Sequence, residues 1–114
     1  MGGWVARGRR SRIVAAMAAA MLTSQEIQDE LTKLSGWSLE RDALAKTFKF
    51  KSFKEAMSFM VRAGFEAEAI NHHPEWTNVY NEVAVRLNTH DAGGKVTVKD
   101  VELARRFESI SWVE

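Results

Sequence analysis

The 114-residue chain has no cysteine, one proline, one tyrosine and three histidines. Without cysteine there are no disulfides, no thiolate zinc sites and no cysteine nucleophile, which fits an intracellular protein. No apolar run reaches the roughly 20 residues of a membrane span, so no membrane partner is expected. No segment has the polar, low-complexity composition of a disordered chain. The 46% hydrophobic and 27% charged fractions describe one globular domain of a size that supports a single core.

The net charge of +1 is unevenly placed. Residues 1–22 carry Arg7, Arg9, Arg10 and Arg12 and no acid, leaving 12 basic against 15 acidic residues in the remainder. A mildly acidic domain lacks the electrostatic footprint of a phosphate-backbone binder, so no direct nucleic-acid contact is expected. The leader is rich in arginine and alanine, which suits either a mitochondrial transit peptide or an unstructured extension. The expected organisation is this leader over 1–22 and a single domain over 23–114.

The domain opens on a capping box, Thr23 with Glu26, predicting a helix over 24–34 whose face carries Ile27, Leu31 and Leu34. Gly36 is its natural stop. From Trp37 the period shortens to alternation. Trp37 and Leu39, then Leu44, Phe48 and Phe50, flank the polar turn "ERD" and predict a hairpin. Ser52 and Glu55 form a second box before the longest helix, about 53–71, with Phe53, Met57, Met60, Gly64 and Ala67 at helical spacing. Unbranched methionines at such positions read as core filling.

Two more strands follow, "EWTNVYN" and "EVAVRLNTH", the second with Val83, Val85 and Leu87 on one side and Arg86, Asn88 and His90 on the other. After the loop "DAGGK", Thr97 opens a last helix whose stripe takes in Val101, Leu103, Ala104, Phe107 and Ile110. The order α-β-β-α-β-β-α predicts an α+β fold, a four-stranded antiparallel sheet with three helices packed on one face.

All three histidines fall within residues 72–90. His72 follows Glu68 by four positions, so the two share a face if helical geometry persists. His73 precedes Pro74, which pushes it into extended backbone and ends the helix. Three readings fit these residues alone. They are exposed or dipole-favoured histidines at a helix end, a metal site, or proton transfer by imidazoles that titrate near neutrality. The metal reading lacks an HExxH or similar i,i+4 histidine pair.

The run Glu68, "INHHPEWTNVYNEV", "LNTHDAGG" and "VKDVELA" resembles the pterin-4a-carbinolamine dehydratase family, also known as the dimerisation cofactor of hepatocyte nuclear factor 1-alpha. The resemblance covers about residues 23–114 and includes E-x-x-x-H-H-P-E-W, "NVYN", "TH" and an aspartate ten residues on. Within the family, the leader and "NTHDAGG" look most like the second vertebrate paralogue.

The resemblance implies a lyase that removes water from 4a-hydroxytetrahydrobiopterin to give quinonoid dihydrobiopterin, recycling tetrahydrobiopterin. Pterin is then the substrate, and no metal or cofactor is implied. It also implies a homotetramer, a dimer of dimers, and a coactivator role in which the protein stabilises the dimerisation domain of hepatocyte nuclear factor 1-alpha, in cytoplasm and nucleus. An alternative is mainly a dimerisation cofactor with weak dehydratase activity. Apolar residues of the long helix around Phe59, Ala63 and Phe65 are the expected surface for either assembly.

By the same resemblance His72, His73 and His90 are catalytic: His72 and His90 transfer protons and His73 holds the pterin. Glu68 orients His72, while Asn71, Asn88, Thr89 and Asp91 line the pocket. Asp100 supports the site and suits the start of the last helix. Many relatives carry Asp in place of Asn71. Losing that charge predicts a lower or acid-shifted rate.

Overall fold

A computed structural model describes residues 20–112. The targeting reading of the leader therefore falls largely on residues 1–19, outside the described range. Met21 bridges to Thr97 and the Leu22 N–H donates to the Val96 carbonyl at 3.0 Å, so the end of the leader is already paired with the domain.

The elements are α1 (Ser24–Leu31), β1 (Ser38–Glu40), β2 (Ala43–Lys49), α2 (Phe53–Ala69), β3 (Glu75–Val79), β4 (Glu82–Leu87), a 3₁₀ turn (His90–Ala92) and α3 (Val98–Ile110). The two hairpins join in one antiparallel sheet of order β1-β2-β4-β3. This is the expected α+β arrangement of three helices and four strands.

Local chemistry explains most boundaries. Thr23 and Glu26 close the capping box of α1. That helix stops at Leu31 rather than 34, because i→i+3 bonds to Glu30 and Leu31 tighten the chain into a turn before Gly36 adopts a left-handed φ of 85°. The "ERD" turn places Arg41 and Asp42 at φ 46° and 63°, the consecutive positive values of a type I′ hairpin. Ser52 caps α2 by accepting from the Glu55 N–H, but the Glu55 carboxylate accepts from the Lys51 N–H instead of closing the box. β4 ends at Leu87, so His90 lies beyond the strand, in the 3₁₀ turn, rather than on its polar face.

The core lies between the sheet and the helices. Pairing Leu44 with Leu87 and Phe48 with Val83 aligns the apolar sides of β2 and β4. Phe59 of α2 is fully buried, with ring centroids 4.7 Å from Phe48, 5.1 Å from Phe50 and 5.9 Å from Phe107.

α2 carries the main correction to the sequence reading. Its buried face is Ala56, Phe59, Ala63 and Ala67, whereas Phe53 and Met57 are exposed and Met60 is half-buried. Three alanines bring the helix close to the sheet and leave room there for one large ring. The exposed apolar stripe is accordingly Phe53, Met57, Val61 and Phe65, and Phe59 and Ala63 are not available to any partner.

Outside this core, the Glu108 carboxylate accepts from Lys46 Nζ at 2.5 Å and Trp37 Nε1 at 2.8 Å, pinning the start of the first hairpin to α3. Among the described residues no helix is long and apolar enough to cross a membrane.

Candidate active site

The end of α2 is built by Asn71. Its φ of 51° is left-handed, a conformation Asn tolerates better than most residues. The Asn71 N–H donates to the Glu68 carbonyl at 3.1 Å, and the His72 N–H reaches back to the Ala67 carbonyl at 3.0 Å. This is the paired bonding of a Schellman motif, with Asn where glycine is usual. It turns the chain off the helix axis one residue before His72.

That turn overturns the expected Glu68 to His72 pairing. With the helix ended at Ala69, the i,i+4 relation no longer holds. Glu68 Oε1 instead meets His73 Nε2 at 2.9 Å, an exposed contact, while His72 swings inward and is 8% exposed. His72 Nε2 lies 2.6 Å from Asp100 Oδ1.

Asp100 is fully buried at the third position of α3. Its Oδ2 accepts the Thr97 N–H at 2.9 Å, closing a capping box, and the Thr89 hydroxyl at 2.8 Å. The helix-start role assigned to it from sequence is real, but one carboxylate also joins His72 to the segment that carries His90. Sheet register supports the same convergence. Glu75 pairs with Arg86, so the residues just before β3 and just after β4 leave the antiparallel sheet at the same end.

The remaining expected site residues divide clearly. His90 and Asp91 are exposed in the 3₁₀ turn, with Asn88 half-buried before them, and a left-handed Gly93 ends that turn. Asn71 is exposed, and its carbonyl accepts from Lys99 Nζ at 3.4 Å. Thr89 is 5% exposed and its hydroxyl points at Asp100, so it is part of the support beneath the corner and not an open pocket wall. Thr97, seen from sequence only as the opener of α3, is fully buried and bonds Thr89 at 2.7 Å between hydroxyls. Its signal in the sequence was the T-x-x-D spacing to Asp100.

Chemically, the corner offers one imidazole oriented by a buried carboxylate, an exposed imidazole on the next residue, and a third exposed one, His90, on the residue after the Thr89 that bonds the same carboxylate. A family model described as pterin 4 alpha carbinolamine dehydratase matches residues 20–110. The chain belongs to this family. A relative from Opitutus terrae, named "Putative pterin-4-alpha-carbinolamine dehydratase", is 73% identical over 93 residues, covering 82% of this chain and 96% of its own. A relative of the same name from Christiangramia forsetii is 51% identical over 89 residues, covering 78% and 91%.

The dehydratase family is also reached through structure. The crystal structure of a transcriptional coactivator/pterin dehydratase from Brucella melitensis superposes with a TM-score of 0.78 at 40% identity, covering 82% of this chain and all of that one. Membership makes this chain a dehydratase of the pterin carbinolamine class. The matched region contains all nine expected site residues, from Glu68 to Asp100.

Proposed function

We propose that the chain removes water from 4a-hydroxytetrahydrobiopterin to give quinonoid dihydrobiopterin. The observation that carries this reading is the buried His72–Asp100 pair, with His73 next in the chain and His90 directly after the Thr89 that bonds the same carboxylate. In the reaction the C4a–O bond breaks and the oxygen leaves as water after gaining a proton. The ring N5 gives up its proton, and the C4a–N5 bond becomes double. Hydroxide is a poor leaving group, so an acid must meet the oxygen while a base meets the nitrogen, and imidazole suits both tasks.

His72 and His90 take the two proton transfers and His73, steadied by Glu68, holds the pterin. Asn71, Asn88 and Asp91 line the pocket around it. Asp100 acts through His72 as a positioning residue. No metal or bound cofactor enters this scheme.

The second reading, a dimerisation cofactor for a homeodomain transcription factor, is favoured by the apolar stripe on α2. Phe53, Met57, Val61 and Phe65 are between 39% and 73% exposed at successive i,i+4 positions, a spacing that suits helix-in-groove or bundle packing. The same stripe would serve a homotetramer built as a dimer of dimers. The Brucella melitensis neighbour is described as a coactivator as well as a dehydratase, which is in keeping with two roles on one fold. Assignment to the second vertebrate paralogue rests on the leader and "NTHDAGG", and the relatives described above are bacterial. Residence in cytoplasm and nucleus, with residues 1–22 as a mitochondrial signal, is tested by localising the protein with and without that segment.

The double variant His72→Ala with His90→Ala separates the two roles. It should lose dehydration while still co-precipitating the dimerisation domain of hepatocyte nuclear factor 1-alpha. Dehydration at the parent rate would refute the catalytic assignment. Loss of both properties would show that the two surfaces are not separate.

A further inference from the structure

The hydroxyls beneath His72 have only one consistent arrangement of protons. The Lys99 N–H donates to Thr97 Oγ1 at 3.2 Å, and Thr97 and Thr89 hydroxyl oxygens are 2.7 Å apart. Thr89 donates its single proton to Asp100 Oδ2 at 2.8 Å. A hydroxyl has one proton to give, so Thr89 must accept from Thr97 and the chain runs one way, from Lys99 N–H through Thr97 and Thr89 to Asp100. The Thr97 N–H fills Oδ2 further, leaving Oδ1 to face His72 Nε2 at 2.6 Å. Every buried side-chain nitrogen and oxygen among the described residues has a partner, and Thr97 and Asp100 are fully buried, so water does not substitute for these bonds.

We propose that Thr97 and Thr89 form a directional hydroxyl relay that holds the Asp100 carboxylate by Oδ2, leaving Oδ1 to accept from His72, and so keeps the resident proton of His72 on Nε2. Nδ1 is then the ring atom that exchanges protons with substrate. This rests on the proton-transfer reading of His72 given above. It makes Thr89 a positioning residue and not a pterin ligand, because the side chain is buried and its one proton is committed to Asp100. It gives Thr97, a helix cap by sequence, a second duty 25 residues from the histidine it serves.

Two observations test the relay independently of each other. In the ¹⁵N-histidine-labelled parent, the neutral His72 ring should show a pyrrole-type Nε2 and a lone-pair Nδ1. A parent ring protonated on Nδ1 overturns the proposal before any variant is made. Thr89→Val keeps the shape and removes the hydroxyl. It should mix the two tautomers and lower kcat about tenfold with KM within about twofold, a fraction of the roughly 10²–10⁴-fold that positioned acid–base groups contribute. Thr89→Ser should restore both the ring signature and kcat.

A Thr89→Val protein that keeps a single Nε2-protonated ring and parental kcat overturns the relay. If Thr89→Val does not fold, the parent ring together with recovery in Thr89→Ser decides: an Nδ1-protonated ring in either contradicts it. The ring signature needs no substrate. A relay confirmed by NMR in a protein without dehydratase activity would therefore sink the proposed function and not the relay.

Discussion

His72 Nε2 and Asp100 Oδ1 lie 2.6 Å apart across 28 positions of sequence, and this contact joins the end of α2 to the start of α3. A histidine 8% exposed and a carboxylate with no exposure form a fixed pair, while His73 and His90 stay at the surface. Proton-transfer groups need correct geometry before correct acidity, and on the proposed reading the buried partner supplies that geometry for His72.

Asp100→Asn tests the pair with little change of shape. The variant should lose roughly 10²-fold in kcat, because an amide can present an N–H to Nε2 and favour the wrong tautomer. KM should move only a few-fold. Steady-state kinetics beside a thermal melt separate this from loss of the helix cap, which costs about 1 kcal/mol. Unchanged kcat would show that Asp100 only caps α3.

His73→Ala should affect binding more than chemistry. The ring is exposed and held by Glu68 at 2.9 Å, as a group that positions substrate would be. KM should rise by about tenfold, an effect worth roughly 1.4 kcal/mol of binding. A fall in kcat as deep as that of His72→Ala would place His73 among the proton-transfer groups.

Asn71 sets the whole corner through its backbone. Asn71→Gly should fold and melt close to the parent, since glycine takes a φ of 51° freely. Asn71→Val places a β-branched residue in the same conformation, at about 1–3 kcal/mol. Its melting temperature should fall and its kcat with it, because His72 and His73 both hang from this turn. Equal stability for the two variants would mean the turn is not under this constraint.

These effects show where sequence was and was not a sufficient guide. The capping box at Thr23, the opening of α3 at Thr97, the hairpin turn at Arg41 and Asp42, and the break before Pro74 are local events, encoded within four or five residues, and each was legible, whereas the box expected at Ser52 stays half-closed. Which apolar stripe of α2 faces inward was not. Two stripes satisfy the same period, and the buried one is disguised by alanines. Glu68 meets His73 and not His72 because the left-handed Asn71 ends the helix before the i,i+4 relation can form, a condition that the sequence spacing alone leaves open. The His72–Asp100 contact depends on sheet register and on α3 docking, which no local pattern contains.

The two stripes of α2 predict opposite behaviour. Phe59→Ala removes a fully buried ring and should cost about 3–5 kcal/mol in a denaturant or thermal melt. Phe65→Ser, at a position 73% exposed, should leave the stability of the folded unit within about 0.5 kcal/mol while reducing the assembled mass seen by light scattering. An unchanged mass with Phe53 and Phe65 both replaced by Ser would show that this stripe is not the assembly face.

The most direct measurement is the decay of 4a-hydroxytetrahydrobiopterin, followed by absorbance at neutral pH with and without the purified full chain. The account predicts faster formation of the quinonoid dihydropterin in its presence, and decay at the buffer rate when His72→Ala replaces the parent. Decay indistinguishable from buffer with the folded parent protein would contradict it.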